Sequence, residues 1–413
     1  MMRNEEPLSL MMRKTPLATK TGGDGESLKT QTLTPGSLYL HFPFCTRKCP
    51  YCHFYVIPNR DQTPFLEALQ MEWELRRPQI EGRELVSIYF GGGTPTLCVK
   101  GIEQALAQVS APEVTVETNP EDVTPELMNH LYSLGVNRVS IGVQSLNNPL
   151  LKHLGRNHTA QKAIDAVQIT KEAGIDNITI DLMYELPHQT LETWKETVDR
   201  AVKLPIIHLS LYNLTIEPHT VFHKRKEKLL PHLPDEETAA AMLAYACDRF
   251  EEVGLHRYEI SAFGKLSVHN TGYWTGREFL GLGPSAFSYW GGKRFQNSCS
   301  LSKYIQALQT GKLPVDFEEK LPPLASLHEK IAVGLRMTEG IALLDIPSST
   351  EALLTALAEE GWLTYEESRA RLTEKGRLFY DTVAEKVILP AEHGEKEKFK
   401  QLTVVVLRGL TEP

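Results

Sequence analysis

Six short apolar or alternating segments, each followed by an amphipathic helical stretch, constrain the fold of this 413-residue chain more than any other feature. The strand candidates are 38–42 (LYLHF), 85–90 (LVSIYF), 114–118 (VTVET), 138–145 (RVSIGVQS), 177–183 (NITIDLM) and 208–214 (HLSLYNL). Helical periodicity fills the intervals at 64–77, 101–109, 125–134, 160–173 and 190–203. A strand that is followed again and again by a helix returns to its sheet as a parallel neighbour, through a right-handed crossover. The expectation is an α/β fold whose core, 37–290, is a partial (β/α)6 barrel, three quarters of a (β/α)8 barrel, with its chemistry at the C-terminal ends of the strands.

After Gly292 the pattern changes to helices near 301–309, 325–337 and 350–360, and then to GWLTYEESRARLTEKGRLFYDTV, which reads as a short hairpin followed by a helix. This predicts a smaller α+β, winged-helix-like domain over 291–413. Residues 1–36 are polar and aperiodic, too poor in apolar side chains to offset their ordering entropy, and read as a disordered tail. The repeat of MMR at Met1 and Met11 makes Met11 or Met12 an alternative translation start.

The formal net charge of -8 works against attraction to a phosphate backbone, which excludes nucleic acid as the expected partner. No apolar run reaches the roughly 20 residues that span a bilayer, so peripheral membrane contact is the most that is expected. The N-terminus has no apolar stretch of the secretory type, and the expected compartment is the cytoplasm.

Six cysteines are too few for a disulfide scaffold in a chain this long, and three of them crowd one loop. Cys45, Cys49 and Cys52, spaced C-x3-C-x2-C, follow the first strand. Thiolates are the soft ligands of iron-sulfur clusters and of zinc. Structural zinc takes four protein ligands, and no second C-x2-C or zinc-spaced histidine pair is present. A 4Fe-4S cluster on three thiolates leaves one iron open; the spacing alone leaves cluster and zinc both in play. Cys98, Cys247 and Cys299 have no partner at ligand spacing and read as small buried hydrophobes. The second strand ends in YFGGGTPT, where glycines let the backbone approach a ligand closely.

Taken in order, the cysteine loop, GGGTPT, VETNPED, GVQS and GLGPSAFS resemble the radical S-adenosylmethionine (SAM) superfamily over about 37–377. Within it the chain is similar to the branch that holds the oxygen-independent coproporphyrinogen III oxidase and the HemW-like haem chaperones. The resemblance implies a 4Fe-4S cluster on Cys45, Cys49 and Cys52, whose open iron takes the amino and carboxylate groups of SAM. A fourth cysteine there would block the cofactor. By the same resemblance, SAM would meet Tyr39, Tyr51, Gly92, Gly93, Thr94, Glu117, Gln144, Arg156 and Asp181, with Thr215 and Phe287 as further contacts. An electron donor such as flavodoxin or ferredoxin is implied as well.

Two features separate the branches. The oxidase carries a further cysteine two positions after the third, and this chain has Phe54 there. HNTGYW, from His269 to Trp274, matches the pattern linked with haem binding in the chaperones, with His269 as the imidazole and the aromatics able to stack on a macrocycle. The expected function is a haem chaperone that binds haem and hands it to an acceptor protein. The alternative is the oxidase, which removes two propionate carboxyls of coproporphyrinogen III to leave vinyls. A winged-helix nucleic-acid binder is the third class, and the net charge is wrong for it.

Overall fold

The computed structural model describes residues 34–58 and 60–388. Residues 1–33 of the expected tail and 389–413 of the expected smaller domain lie outside them, while Gly36 already opens the first strand. The six anticipated strands are β1 (Gly36–Phe42), β2 (Leu85–Gly92), β3 (Glu113–Thr118), β4 (Arg138–Gln144), β5 (Asn177–Tyr184) and β6 (His208–Asn213). They lie side by side and parallel. Five strands follow that the sequence did not announce: β7 (Ala262–Gly264), β8 (Phe279–Leu282), β9 (Phe287–Trp290), β10 (Lys293–Asn297) and β11 (Val315–Glu319). β8 is parallel to β1, whereas β7, β9, β10 and β11 run antiparallel to their neighbours. The order is β11-β10-β9-β8-β1-β2-β3-β4-β5-β6-β7, an unclosed barrel with seven parallel strands at its centre.

The crossovers are α1 (Thr63–Ile80), α2 (Val99–Leu106), α3 (Pro125–Ser133), α4 (Ala160–Glu172) and α5 (Leu191–Ala201). Thr124, Thr159 and Thr190 cap the last three, each hydroxyl accepting a first-turn N–H. Every second strand residue, such as Leu38, Ile88, Val116, Val139, Ile180 and Leu209, joins Phe65, Ile102, Leu131, Val167 and Trp194 of the helices in one core. The residues between them face the lumen and are polar: Ser87 donates to Ser37, Tyr89 donates to Glu117, and Thr179 bonds His208. The strands therefore alternate although both faces are covered, because the second face is a polar interior.

Among the helices that follow β6 are α6 (Glu236–Glu252), α7 (Val268–Trp274), α8 (Leu301–Gln309) and α9 (Pro323–Gly334). The C-terminal part adds α10 (Ser348–Glu359), the strands β12 (Ile341–Ala342), β13 (Leu363–Glu366) and β14 (Arg369–Leu372), and α11 (Tyr380–Ile388). The hairpin is the one the sequence anticipated, and Leu335, Leu354, Leu363, Ala370 and Val383 form a separate core beneath it. No helix among the described residues is long and apolar enough to cross a membrane.

Candidate functional site

The C-terminal ends of β1 to β6 surround a cleft of about 1070 Å³, counted to its open mouth. The loop after β1 brings Cys45, Cys49 and Cys52 to its wall. Backbone bonds from the end of β2 fix that loop: Gly93 N–H donates to Phe42 O at 2.7 Å and Thr94 N–H to Phe44 O at 2.7 Å. A Cβ on Gly93 would lie 2.6 Å from Phe44 O, so only glycine lets the strand end and the loop approach this closely. Gly92 has φ +103°, and a Cβ there would meet the His41 ring at 2.4 Å.

His41 supports the other side of the loop. Its Nε2 donates to Tyr55 O at 3.0 Å, which leaves Nδ1 to accept from the Tyr39 hydroxyl at 3.0 Å. That arrangement needs a neutral ring, and burial lowers the His41 pKa to about 4.

Arg156, from the loop after β4, crosses the cleft. Its Nη2 donates to Asn119 Oδ1 at 2.5 Å and to Gly142 O at 2.7 Å, and its Nη1 lies 3.6 Å from Cys49 Sγ and 3.5 Å from the Tyr51 hydroxyl. Asn119 in turn donates to Thr94 Oγ1 at 2.9 Å, and Thr94 Oγ1 sits 3.4 Å from Cys45 Sγ. Arg156 Nε is buried with no partner. The guanidinium thus keeps donor capacity beside the thiols, suited to a carboxylate.

Two carboxyls line the floor. Burial pushes Glu117 up to about 7, the Tyr89 hydroxyl (2.7 Å) and Gly92 N–H (3.1 Å) holding it lower than it would otherwise lie, and the Asp181 charge raising it. Burial likewise pushes Asp181 up to about 6, opposed by its bond from Ser210. Gln144 reaches the cleft from a left-handed backbone, φ 64°, at the irregular end of β4.

The donor set fits a cluster. Among the described residues no three His, Cys, Asp or Glu side chains converge on one ion position. A 4Fe-4S cluster takes one thiolate per iron and does not ask for such convergence. Burial raises the Cys45 thiol and pushes Cys52 up to about 12, so binding iron would displace protons.

Residues 39–201 match the family model described as the radical SAM superfamily, and 321–379 match the HemN C-terminal domain. The heme chaperone HemW of Lactococcus lactis is 36% identical over 376 residues, which cover 86% of this chain and 98% of that protein. The chain belongs to the HemW family of the radical SAM superfamily. A HemW of Bacillus subtilis is 33% identical over 369 residues, 84% of this chain and 97% of the relative. Among solved structures, the coproporphyrinogen III oxidase HemN of Escherichia coli has a TM-score of 0.75 at 24% identity, over 86% of this chain and 90% of that one, a likeness of fold.

In this HemW-family chain the cleft gathers Cys45, Cys49, Cys52, Tyr51, Gly92, Gly93, Thr94, Glu117, Gln144, Arg156, Asp181 and Thr215. Three anticipated residues lie elsewhere. Tyr39 acts through His41 from below the loop. Phe287 starts β9 and lines a separate cavity. His269 is 1% exposed near the opposite ends of the strands, with both ring nitrogens engaged. Ser87 donates to Ser37, so its oxygen accepts from His269 Nδ1 at 2.9 Å, while Nε2 accepts from the Tyr273 hydroxyl at 2.8 Å. Direct ligation of iron by His269 would break one of these bonds.

Asn119 and His41 are the functional residues the sequence reading missed. Asn119 stood inside the quoted VETNPED, two positions after Glu117, and His41 lies two positions after Tyr39 on the same face of β1. Of the remaining cysteines Cys98 is buried, Cys247 is half-buried, and Cys299 is exposed. The reading of Cys299 as a buried hydrophobe is corrected: it lies in the turn before α8, where its thiol bonds Ser285 Oγ.

Proposed function

We propose that the protein holds a 4Fe-4S cluster on Cys45, Cys49 and Cys52, binds SAM in the adjoining cleft, and serves as a haem chaperone that passes haem to an acceptor protein. The observation that carries the reading is the cleft itself: three thiols on one loop, a glycine strand end against that loop, and a guanidinium beside them with an unpartnered nitrogen. The names of the relatives support the chaperone half.

A reduced cluster with SAM on its open iron supplies one-electron chemistry at the sulfonium. The chain's own share is binding, orientation and exclusion of water. Arg156 offers the carboxylate of SAM a countercharge, Thr94 and the end of β2 accept from its amino group, and Glu117 and Asp181 accept from donors deeper in the cleft. Tyr51 packs beside Arg156 as a flat wall for the adenine. An electron donor such as flavodoxin or ferredoxin would approach at the exposed side of the cysteine loop, and the cytoplasm is the compartment that suits these parts.

The oxidase reading is weaker at Phe54. Its ring lies 4.5 Å from that of His53, and it lines the mouth of the cleft where the oxidase carries a further thiol. Anaerobic incubation of the reconstituted protein with reductant, SAM and coproporphyrinogen III tests this directly. The expected result is no protoporphyrinogen; its formation at on the order of 0.01 s⁻¹ or faster, slow by the usual range of enzymes, overturns the chaperone reading.

A further inference from the structure

A second cavity, about 830 Å³ to its open mouth, lies between the end of α7, the strands β8 to β10 and α9, away from the cysteine loop. Its walls are aromatic: Tyr273, Phe279, Phe287 and Tyr289, with Tyr273 and Phe279 edge to face at 4.6 Å. Three cations stand around it. Arg294 is paired with two carboxylates, Glu319 and Glu329, and Glu329 itself lines the cavity. Arg277 and Lys330 make no ion pair among the described residues; Arg277 Nη1 donates to Val268 O at 2.8 Å and reaches Ser37 Oγ at 3.4 Å.

Aromatic walls with two cations outside any ion pair select a particular chemistry. A wholly apolar molecule would leave the cations unanswered, and a small anion would leave the walls wet. A flat apolar ring system that carries carboxylates satisfies both. We propose that this cavity is the porphyrin site, with the macrocycle against the aromatic walls and its carboxylates toward Arg277 and Lys330. The assignment rests on the haem-chaperone reading and adds a place to it.

In this assignment His269 is a positioning residue. Its ring accepts from the Tyr273 hydroxyl and packs edge to face with Tyr273 at 5.1 Å, which sets the orientation of one wall. Recognition then depends on the ring body and the carboxylates more than on iron, so metal-free protoporphyrin should enter as haem does.

The test is an absorbance titration of the cluster-loaded full chain with haem and, separately, with protoporphyrin IX. The wild type should bind one of either per chain, in competition, with affinities within about tenfold of each other. Lys330→Glu, an exposed change, and Arg277→Gln should each weaken both porphyrins by at least about fivefold, with SAM affinity unchanged. Thermal melts of both variants establish that they are folded, and Lys330→Glu carries the test if Arg277→Gln is not. If the wild type binds haem and folded variants bind it equally well, the cavity is the wrong place while the chaperone reading stands. Binding of haem without protoporphyrin overturns recognition by ring and carboxylates. Binding of neither overturns the haem reading and this assignment with it.

Discussion

Arg156 Nη1 lies 3.6 Å from Cys49 Sγ, while its Nη2 is fixed by Asn119 and the Gly142 carbonyl, so the charge is held beside the thiols by the loop after β3 and by β4. Arg156→Ala should lower SAM affinity by roughly 10- to 150-fold, the worth of one charge-assisted contact. The visible absorbance of the cluster should not change. Equilibrium binding of SAM to the reconstituted variant is the measurement, and wild-type affinity would remove Arg156 from the site.

Serine at Cys45, Cys49 or Cys52 should abolish the cluster, because a hard hydroxyl replaces a soft thiolate. Cys299→Ser should keep it, since that thiol is exposed and bonded to Ser285. Iron and sulfide per chain after anaerobic reconstitution decide the matter. Zinc with no iron in the wild type would contradict the account.

Gly93→Ala should reduce cluster retention sharply. The added methyl would stand 2.6 Å from Phe44 O and 2.7 Å from Phe42 O, both backbone atoms, so the cysteine loop must move. Iron per chain in the variant, relative to wild type, reads the effect; full retention would show that the loop does not depend on this approach.

Glu117 sets a pH dependence. Its carboxyl is held up to about 7 in the folded chain, so the folded state binds more protons than the unfolded state between the ordinary range of a glutamate and that value. The contribution of Glu117 to stability without bound cofactor should therefore fall as pH rises through this window; Asp181, held at about 6, acts in the same direction, while buried His41, lowered to about 4, acts in the opposite one. Glu117→Gln should remove this contribution, so the wild-type melting temperature minus the variant's should fall from pH 5 through 6 and 7 to 8. A difference that stays constant or rises across the window would mean that the Glu117 carboxyl is not perturbed as described.

How much of this was legible in the chain itself depended on where a residue finds its partners. β1 to β6 were readable because their outer residues meet one helix layer and their inner ones a polar lumen, so Leu38, Leu40 and Phe42 alternate with Tyr39 and His41. β8 escaped because FLGL is four residues with a glycine, and its pairing with β1 spans more than 230 positions. Glu72, buried in α1, accepts from Gly283, Asn297 and Tyr304, none of which local periodicity could associate with it. At the site, the cysteines declared themselves by spacing. His269 declared its imidazole but not the two hydroxyls that occupy it, since Ser87 lies 182 positions away.

His269→Ala should destabilise the fold by about 1 to 3 kcal/mol, because it takes the acceptor from the Tyr273 hydroxyl and the donor from the Ser87 oxygen in a buried setting, and should leave the cluster intact. Haem affinity should fall modestly as the Tyr273 wall loosens. Loss of a haem absorbance band with no change in stability would instead make His269 an iron ligand.

The most direct test of the central claim follows haem from the protein to an acceptor. The cluster-loaded chain is given one equivalent of haem, freed of excess, and mixed anaerobically with a haem-depleted acceptor protein while the acceptor's own absorbance is recorded. The account predicts about one haem bound per chain and its appearance on the acceptor as it leaves the donor. No stable haem on the cluster-loaded chain, or haem that stays bound with acceptor in excess, would contradict it.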